Sequence, residues 1–515
     1  MAVCLLAQAL TPCVPVQAAD PPSYDIVDLG VSSASNAYYG LNDLGQLVGG
    51  SGFLDGARSV SLKPAGFVGE IGAYSLDNIG MASAQWYELV REFTAPYAWR
   101  DIDGNGITSD GEVKQLPMIR DSVQGIARSS IPRGTMVGSS AIKYGNLNAP
   151  GEAVFWRIDQ ELNLTSRVIP LPEQSSGAGN NRAIDIEQNG RVIGTAAGKG
   201  HLWFHDRVID FGTLRPEALN EQGHVVGATQ VGAAGSPFVW RDADANQRID
   251  LGEVVILSPE PGEAVDISQS GIVVGHLSQG ASSTACLWVG GVKKDLASLV
   301  DPSSGWSFTQ SVRINEAGMI LARGRSDGAV IGPVKDVLLV PVAQSLAVVR
   351  NRCFNQGGID YAGDQSGPMT IEYHLVNGGQ AALTCAAAVI ESSASCSASV
   401  LSGQSRTLPG RARGTLRIRV VPSAPSWTCS IALPSDDAKL PICRWTIVGE
   451  RQPSGPGDLN RDRIVSVDDL EMVTKSQGRK RGDAGWDPRS DANGDGVVDA
   501  KDLLIVTQHY GVTWP

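Results

Sequence analysis

The stretch LNEQGHVVG, residues 219–227, decides the reading of this chain, because it is one of seven variants of a single phrase. The others are LNDLGQLVGG (41–50), LDNIGMASA (76–84), IPRGTMVG (131–138), DIEQNGRVIG (185–194), DISQSGIVVG (266–275) and RINEAGMILA (313–322). Each runs from an apolar residue through Asn or a polar substitute to a Gly, then to an apolar pair often closed by a second Gly. The central glycines, Gly45, Gly80, Gly134, Gly190, Gly223, Gly271 and Gly318, recur 33 to 56 residues apart. A phrase of fixed order at that period marks a repeat architecture. Its chemistry predicts a β-turn-β unit: a strand stops at Asn or Asp, Gly takes a positive-φ turn position, and an apolar β-branched run returns.

In five repeats a Trp follows, at Trp99, Trp156, Trp203, Trp240 and Trp288, and predicts a third strand carrying a core aromatic. Runs such as VIDFGTL (208–214), EVVIL (253–257) and VKKDLASL (292–299) predict a fourth. Four strands per unit is the size of a propeller blade. The expectation is a mainly β chain with a seven-bladed β-propeller over residues 20–343, closed by pairing YDIVDLG (24–30) with DVLLVPV (336–342). A sandwich of two sheets is the alternative. The phrases resemble HAF-type extracellular repeats, although the His-Ala-Phe triplet is nowhere intact and Ser236-Pro237-Phe238 is among its closer versions. That resemblance implies a fold and no reaction.

The net charge of -12, from 54 acidic and 42 basic residues, is local. Four twelve-residue windows, 101–112, 242–253, 458–469 and 491–502, hold 16 acids and four basic residues, and the rest of the chain is balanced. Discrete carboxylate clusters suit hard cations. No basic stretch supplies the charge that nucleic acid would need. The first window fits the pattern D-x-[DN]-x-[DN]-G-x5-E, with Asp101, Asp103, Asn105, Ser109 and Glu112 offering side-chain oxygens and Ile107 a carbonyl for Ca²⁺. The second offers Asp242, Asp244, Asn246, Asp250 and Glu253 with the Arg248 carbonyl, and has Gln247 where Gly is preferred. Both follow a Trp-Arg pair and precede a strand, and they resemble the Asp-rich hairpin loops of integrin-type propeller blades.

The other two windows present Asp458, Asn460, Asp462, Ile464 (carbonyl), Ser466 and Asp469, then Asp491, Asn493, Asp495, Val497 (carbonyl), Asp499 and Asp502. Each leads into a helical apolar pattern. The duplicated loop-helix with Asp at position 12, over residues 457–511, resembles a type I dockerin module. The resemblance implies calcium-coupled folding and a cohesin-like or cell-surface protein partner. Arg463 stands at position 6 of the first loop, and positions 10 and 11 are Val467-Asp468 and Ala500-Lys501, which departs from the Ser-Thr type that reads clostridial cohesins.

Residues 1–19 lack charge and end in small residues, which predicts a secretory signal, so a secreted or cell-surface location follows. No later segment is apolar enough to span a membrane. Residues 344–450 hold five Cys and alternating runs, which predicts a disulfide-stapled Ig-like sandwich, with Cys385–Cys396 and Cys429–Cys443 as local pairs. The stretch 451–457 reads as a linker to a dockerin-like module at 458–511. No catalytic motif survives inspection. His201 and His205 lack a third ligand, Gly324-Arg325-Ser326-Asp327-Gly328 lies outside a strand-to-helix elbow, and Glu88 with Glu92 is an arbitrary pair. Two readings follow: a secreted calcium-binding scaffold attached through its tail, or a carbohydrate-active enzyme of the glycoside hydrolase class acting on a glycan.

Overall fold

The computed structural model describes residues 24–509 apart from 34–36, 51, 89–92, 119–123, 132–134, 142–150, 159–161, 165–168, 171–180, 189, 205–206, 230–234, 244–247, 251, 281, 327–331, 351, 356–358, 363–367, 403–404, 425, 450–456, 460–464, 466, 481–482, 484–486, 488 and 494–495. The chain is mainly β. Seven four-stranded antiparallel sheets follow one another, each opening on the strand that leads into a repeat phrase. Those first strands are Tyr38–Leu41, Glu70–Leu76, Gln124–Ile131, Arg182–Ile186, Arg215–Leu219, Gly262–Ile267 and Ser307–Ile314. Each contacts the next, and the first contacts the seventh. The seventh sheet is completed by Tyr24–Val31, which pairs antiparallel with Lys335–Pro341 from the far end of the segment.

The phrase acts as a staple. In the turns at Asn42, Asp77, Glu187, Asn220, Ser268 and Asn315, the side chain accepts the N–H four residues on. The central Gly adopts φ between 75° and 87° in these six turns, a region only Gly enters cheaply. Where the turn residue is Asn, its amide also donates to the equivalent carbonyl of the next sheet: Asn42 to Asp77, Asn220 to Ser268, and Asn315 back to Asn42. The closing glycine has a different reason. A Cβ on Gly49, Gly138, Gly194, Gly227 or Gly275 would sit about 2 Å from a carbonyl oxygen on the neighbouring first-strand segment. That close approach accompanies a β-bulge, since every first strand shifts register just ahead of the phrase.

The five repeat Trp side chains are fully buried on the third strands. Their indole N–H groups find acceptors, as burial requires: Trp99 donates to Thr108 Oγ1, Trp156 to the Pro117 carbonyl and Trp288 to the Leu257 carbonyl.

Residues 346–449 form two further four-stranded sheets that share one core, including Phe354, Tyr373, Trp427 and Trp445. This module rests on the seven-sheet part: Ala347, Val349, Cys353 and Val376 pack with Leu44 and Ala317, and Arg413 pairs with Asp55 at 2.6 Å. The expected cysteine pairing is corrected here. All six described cysteines are free thiols, and strand register places Cys429 opposite Ser393, beside Cys396, whose thiol reaches the Thr428 carbonyl. Cys385 bridges to Ser435 next to the Cys443 strand. The neighbours are therefore Cys396 with Cys429 and Cys385 with Cys443, because antiparallel pairing overrides closeness in sequence.

The described C-terminal part has two helices, α1 (Val467–Ser476) and α2 (Ala500–Gln508), around a core of Leu459, Val465, Val473, Val498 and Val506. No helix among the described residues is long and apolar enough to cross a membrane.

Candidate functional site

All four acidic windows are built around their twelfth residue. Glu112, Glu253, Asp469 and Asp502 are buried. Glu112 accepts the N–H of Ile102 at 2.7 Å and of Ser109 at 2.9 Å, loop positions 2 and 9. Glu253 accepts those of Ala243 and Asp250, the same two positions. Asp502 accepts those of Asn493 and Asp499, and Asp469 that of Leu459. Burial alone would raise the Glu112 carboxyl, but the N–H groups of Ser109, Ile102 and Asp103 outweigh it and hold it below the usual range. The first loop is thus wound on an ionised carboxylate.

The first window is described in full. Carboxylate oxygens of Asp101, Asp103 and Glu112 lie within 4.8 Å of one another. Asp101 Oδ1 is buried with no hydrogen-bond partner among the described residues, as is Asp491 Oδ1 at the same position of the fourth window. A buried carboxylate oxygen without a donor suits a hard cation. Arg58, on the neighbouring sheet, donates to Asp101 and, at 3.0 Å, to the Gly104 carbonyl. Ile107, the carbonyl position, is exposed with its N–H on Asn105 Oδ1. In the second window Asp242, Arg248, Asp250 and Glu253 are described, whereas Asp244 and Asn246 lie outside the described residues. The same holds for Asn460, Asp462, Ile464 and Ser466 in the third window and Asp495 in the fourth.

The segment that follows α1 is joined to the fourth window. Lys480 and Val497 form an antiparallel bridge, Gly478 N–H donates to the Val498 carbonyl, and Val498 N–H returns to Arg479. Asp499 caps α2 in a reciprocal box with Asp502. The described residues of both acidic windows thus lead into short helices, with the fourth window tied to the segment after the first helix.

Residues 456–509 match the dockerin type I domain. Such domains bind calcium and attach to cohesins. The match covers the tail, and a search of curated proteins returns no match for the chain. Among solved structures, the soluble aldose sugar dehydrogenase of Escherichia coli is 10% identical, covers 62% of this chain and 100% of its own, and gives a TM-score of 0.29. The secreted serine protease VesC of Vibrio cholerae is 10% identical over 34% of each chain, with a TM-score of 0.17. A Porphyromonas gingivalis protein of unknown function is 13% identical over 35% of this chain and 90% of its own, again at 0.17. None of these scores assigns a fold.

Outside the dockerin domain, the turn ends of the first strands line an open cavity of about 200 Å³ bordered by Asp43, Asp77, Asp185, Asp266 and Glu316 among others. These carboxylates mostly hold sheets together: Asp185 accepts the Leu219 N–H, Asp266 that of Ile314, and Asp43 that of Glu316. Burial pushes Asp266 up to about 6 and Asp77 up to about 7. Of the catalytic suggestions, His201 is buried and stacked on Trp203 at 5.4 Å. His205 and Glu92 lie outside the described residues, as does the Glu88 side chain, and Gly324 sits inside the strand Ile320–Arg325. Sequence reasoning missed the charged groups on the bulged first strands, because they lie ahead of the repeat phrase and are gathered only by the packing of neighbouring sheets.

Proposed function

We propose that this chain is an extracellular calcium-binding attachment protein. In this reading the seven sheets are the blades of a β-propeller, residues 344–450 are an Ig-like sandwich, and the dockerin domain docks on a cohesin-type protein. The observation that carries it is the dockerin match, together with two loops wound on the buried carboxylates Asp469 and Asp502. The cyclic contacts of the first strands support the propeller. Asp468 of α1 is paired with Arg157 at 3.2 Å, whereas Leu504 of α2 is 54% exposed. The α2 face is therefore the one offered to a partner. Titration of the full chain against a panel of type I cohesins should show binding in calcium that chelator abolishes, and Leu504→Asp should weaken it by ~100-fold, a hot-spot-sized loss. If no cohesin binds in calcium, the cohesin part of the reading falls.

Calcium is assigned in the same reading to all four loops, through Asp101, Asp103, Asn105, Ile107, Ser109 and Glu112 and their counterparts. Trp99 donates to Thr108 inside the first loop and Trp240 to Glu253 of the second, so each loop has its own antenna. Terbium bound in the first loop should luminesce on indole excitation, and Trp99→Phe should remove that component. Arg58→Ala, which removes a competing cation, should tighten the site by a few-fold. Terbium emission untouched by both Trp99→Phe and Glu112→Gln would refute metal binding there.

A further inference from the structure

The bulged first strands gather a second set of charges that neither the turns nor the metal loops use. The register shift on the third strand of this set skips Arg128, and that on the fifth skips Glu217. A bulged residue leaves the ladder and re-aims its side chain. Arg182 and Arg215 open the fourth and fifth first strands, and Glu263 lies on the sixth. Arg215 donates through Nε to Glu217 at 2.5 Å and pairs through its terminal nitrogen with Glu263.

The cluster reaches solvent, with side-chain exposures of 26% for Arg215, 22% for Glu217 and 21% for Glu263. It is also short of acceptors. Arg182 and Arg215 stand against Glu217 and Glu263, with Arg128 beside Arg182, and Glu263 is pushed up to about 7 by burial and by Glu217. Arg182 is lowered by burial first and then by the charge of Arg128, which places those two cations near one another. Arg182 Nε is buried with no hydrogen-bond partner among the described residues, and so is Nδ1 of His276 on the neighbouring strand Val273–Gln279. A ligand completing the cluster must bring an anionic acceptor for the arginines and hydroxyl donors for the two glutamates.

We propose that Arg128, Arg182, Arg215, Glu217 and Glu263 form a binding site for an acidic sugar, a uronate residue whose carboxylate meets the arginines and whose hydroxyls meet the glutamates. The site is independent of the cohesin reading, since it lies on the seven-sheet part.

The test is calorimetric titration of the full chain with glucuronate, with oligogalacturonate and with a neutral oligosaccharide of equal length. The acidic ligands should bind at least ~10-fold more tightly than the neutral one, the scale of one lost charge-assisted contact. Glucuronate binding as well as the oligomer assigns a single-residue site, and oligomer preference assigns a polysaccharide segment; either supports the proposal. Arg182→Ala should cost ~10-fold, again the scale of one lost charge-assisted contact. Should Arg182→Ala fail to fold, Arg128→Ala carries the same test, because that side chain is half-buried, its guanidinium over the Tyr74 ring at 4.8 Å. Equal affinity for acidic and neutral sugars, no acidic ligand bound, or arginine variants that bind as the parent does would each overturn it.

Discussion

Removing calcium is expected to unfold the dockerin domain while the sheets stay intact. In hydrogen exchange read by mass spectrometry, peptides covering α1 and α2 should be protected in calcium and exchange freely in chelator. The physical reason is the imbalance at its centre. Five apolar side chains, Leu459, Val465, Val473, Val498 and Val506, form the buried core, and small domains with so little to bury need a staple. Against that core stand Asp458, Asp469 and Asp502, each buried. Without a cation their mutual repulsion and lost hydration oppose folding. With calcium at ~100 times its dissociation constant, each site contributes about 2.7 kcal/mol, so two sites should raise protection by several orders of magnitude. Asp502→Ala should abolish the effect at the second loop and expose α2 first. Helical peptides that exchange equally with and without calcium would reject coupled folding.

Asp77→Asn is expected to stabilise the seven-sheet part above neutral pH. Asp77 occupies the turn position held by Asn42, Asn220 and Asn315, and like them it accepts the N–H four residues on. Unlike them it has no amide to donate, and its Oδ2 is buried with no hydrogen-bond partner among the described residues. Burial pushes the carboxyl up from 3.8 to about 7, against the N–H groups of Met81 and Ile79 and the charge of Arg100. A carboxyl raised in the folded state holds its proton more tightly there than in the unfolded chain. Its contribution is therefore full below pH 4 and lost as pH rises through 7, on the order of a few kcal/mol. Asparagine does not titrate. The variant should match the parent near pH 4 and exceed it near pH 8 by roughly 4 kcal/mol at most, a shift of several degrees in a thermal melt. Other buried carboxylates titrate in both proteins, so the difference between them isolates Asp77. A gain independent of pH would show that ionisation of Asp77 is not the cause.

How far the chain can be read from its residues depends on how local the cause is. The phrase around Gly223 specified its own turn, because the Asn cap, the positive φ and the returning strand lie within nine residues. The Trp strands and the acidic loops were legible for the same reason: Glu112 and Asp502 reach back ten and nine residues at most. The second glycine of the phrase was visible as a pattern, but its reason, a carbonyl oxygen 2.1 Å from the Cβ that Gly194 lacks, appears only once the bulge is folded.

The residues alone determined the repeat, its four-strand content, the acid clusters and the duplicated loop-helix tail, since turn chemistry and ligand spacing act over a dozen positions. Tertiary structure alone decided the rest. It placed Cys396 beside Cys429 through strand register, and Arg58 on Asp101 across 43 residues. It also gathered Arg215, Glu217 and Glu263 on strands 48 residues apart. Such neighbours follow from how sheets pack and bulge, and no short-range preference encodes them.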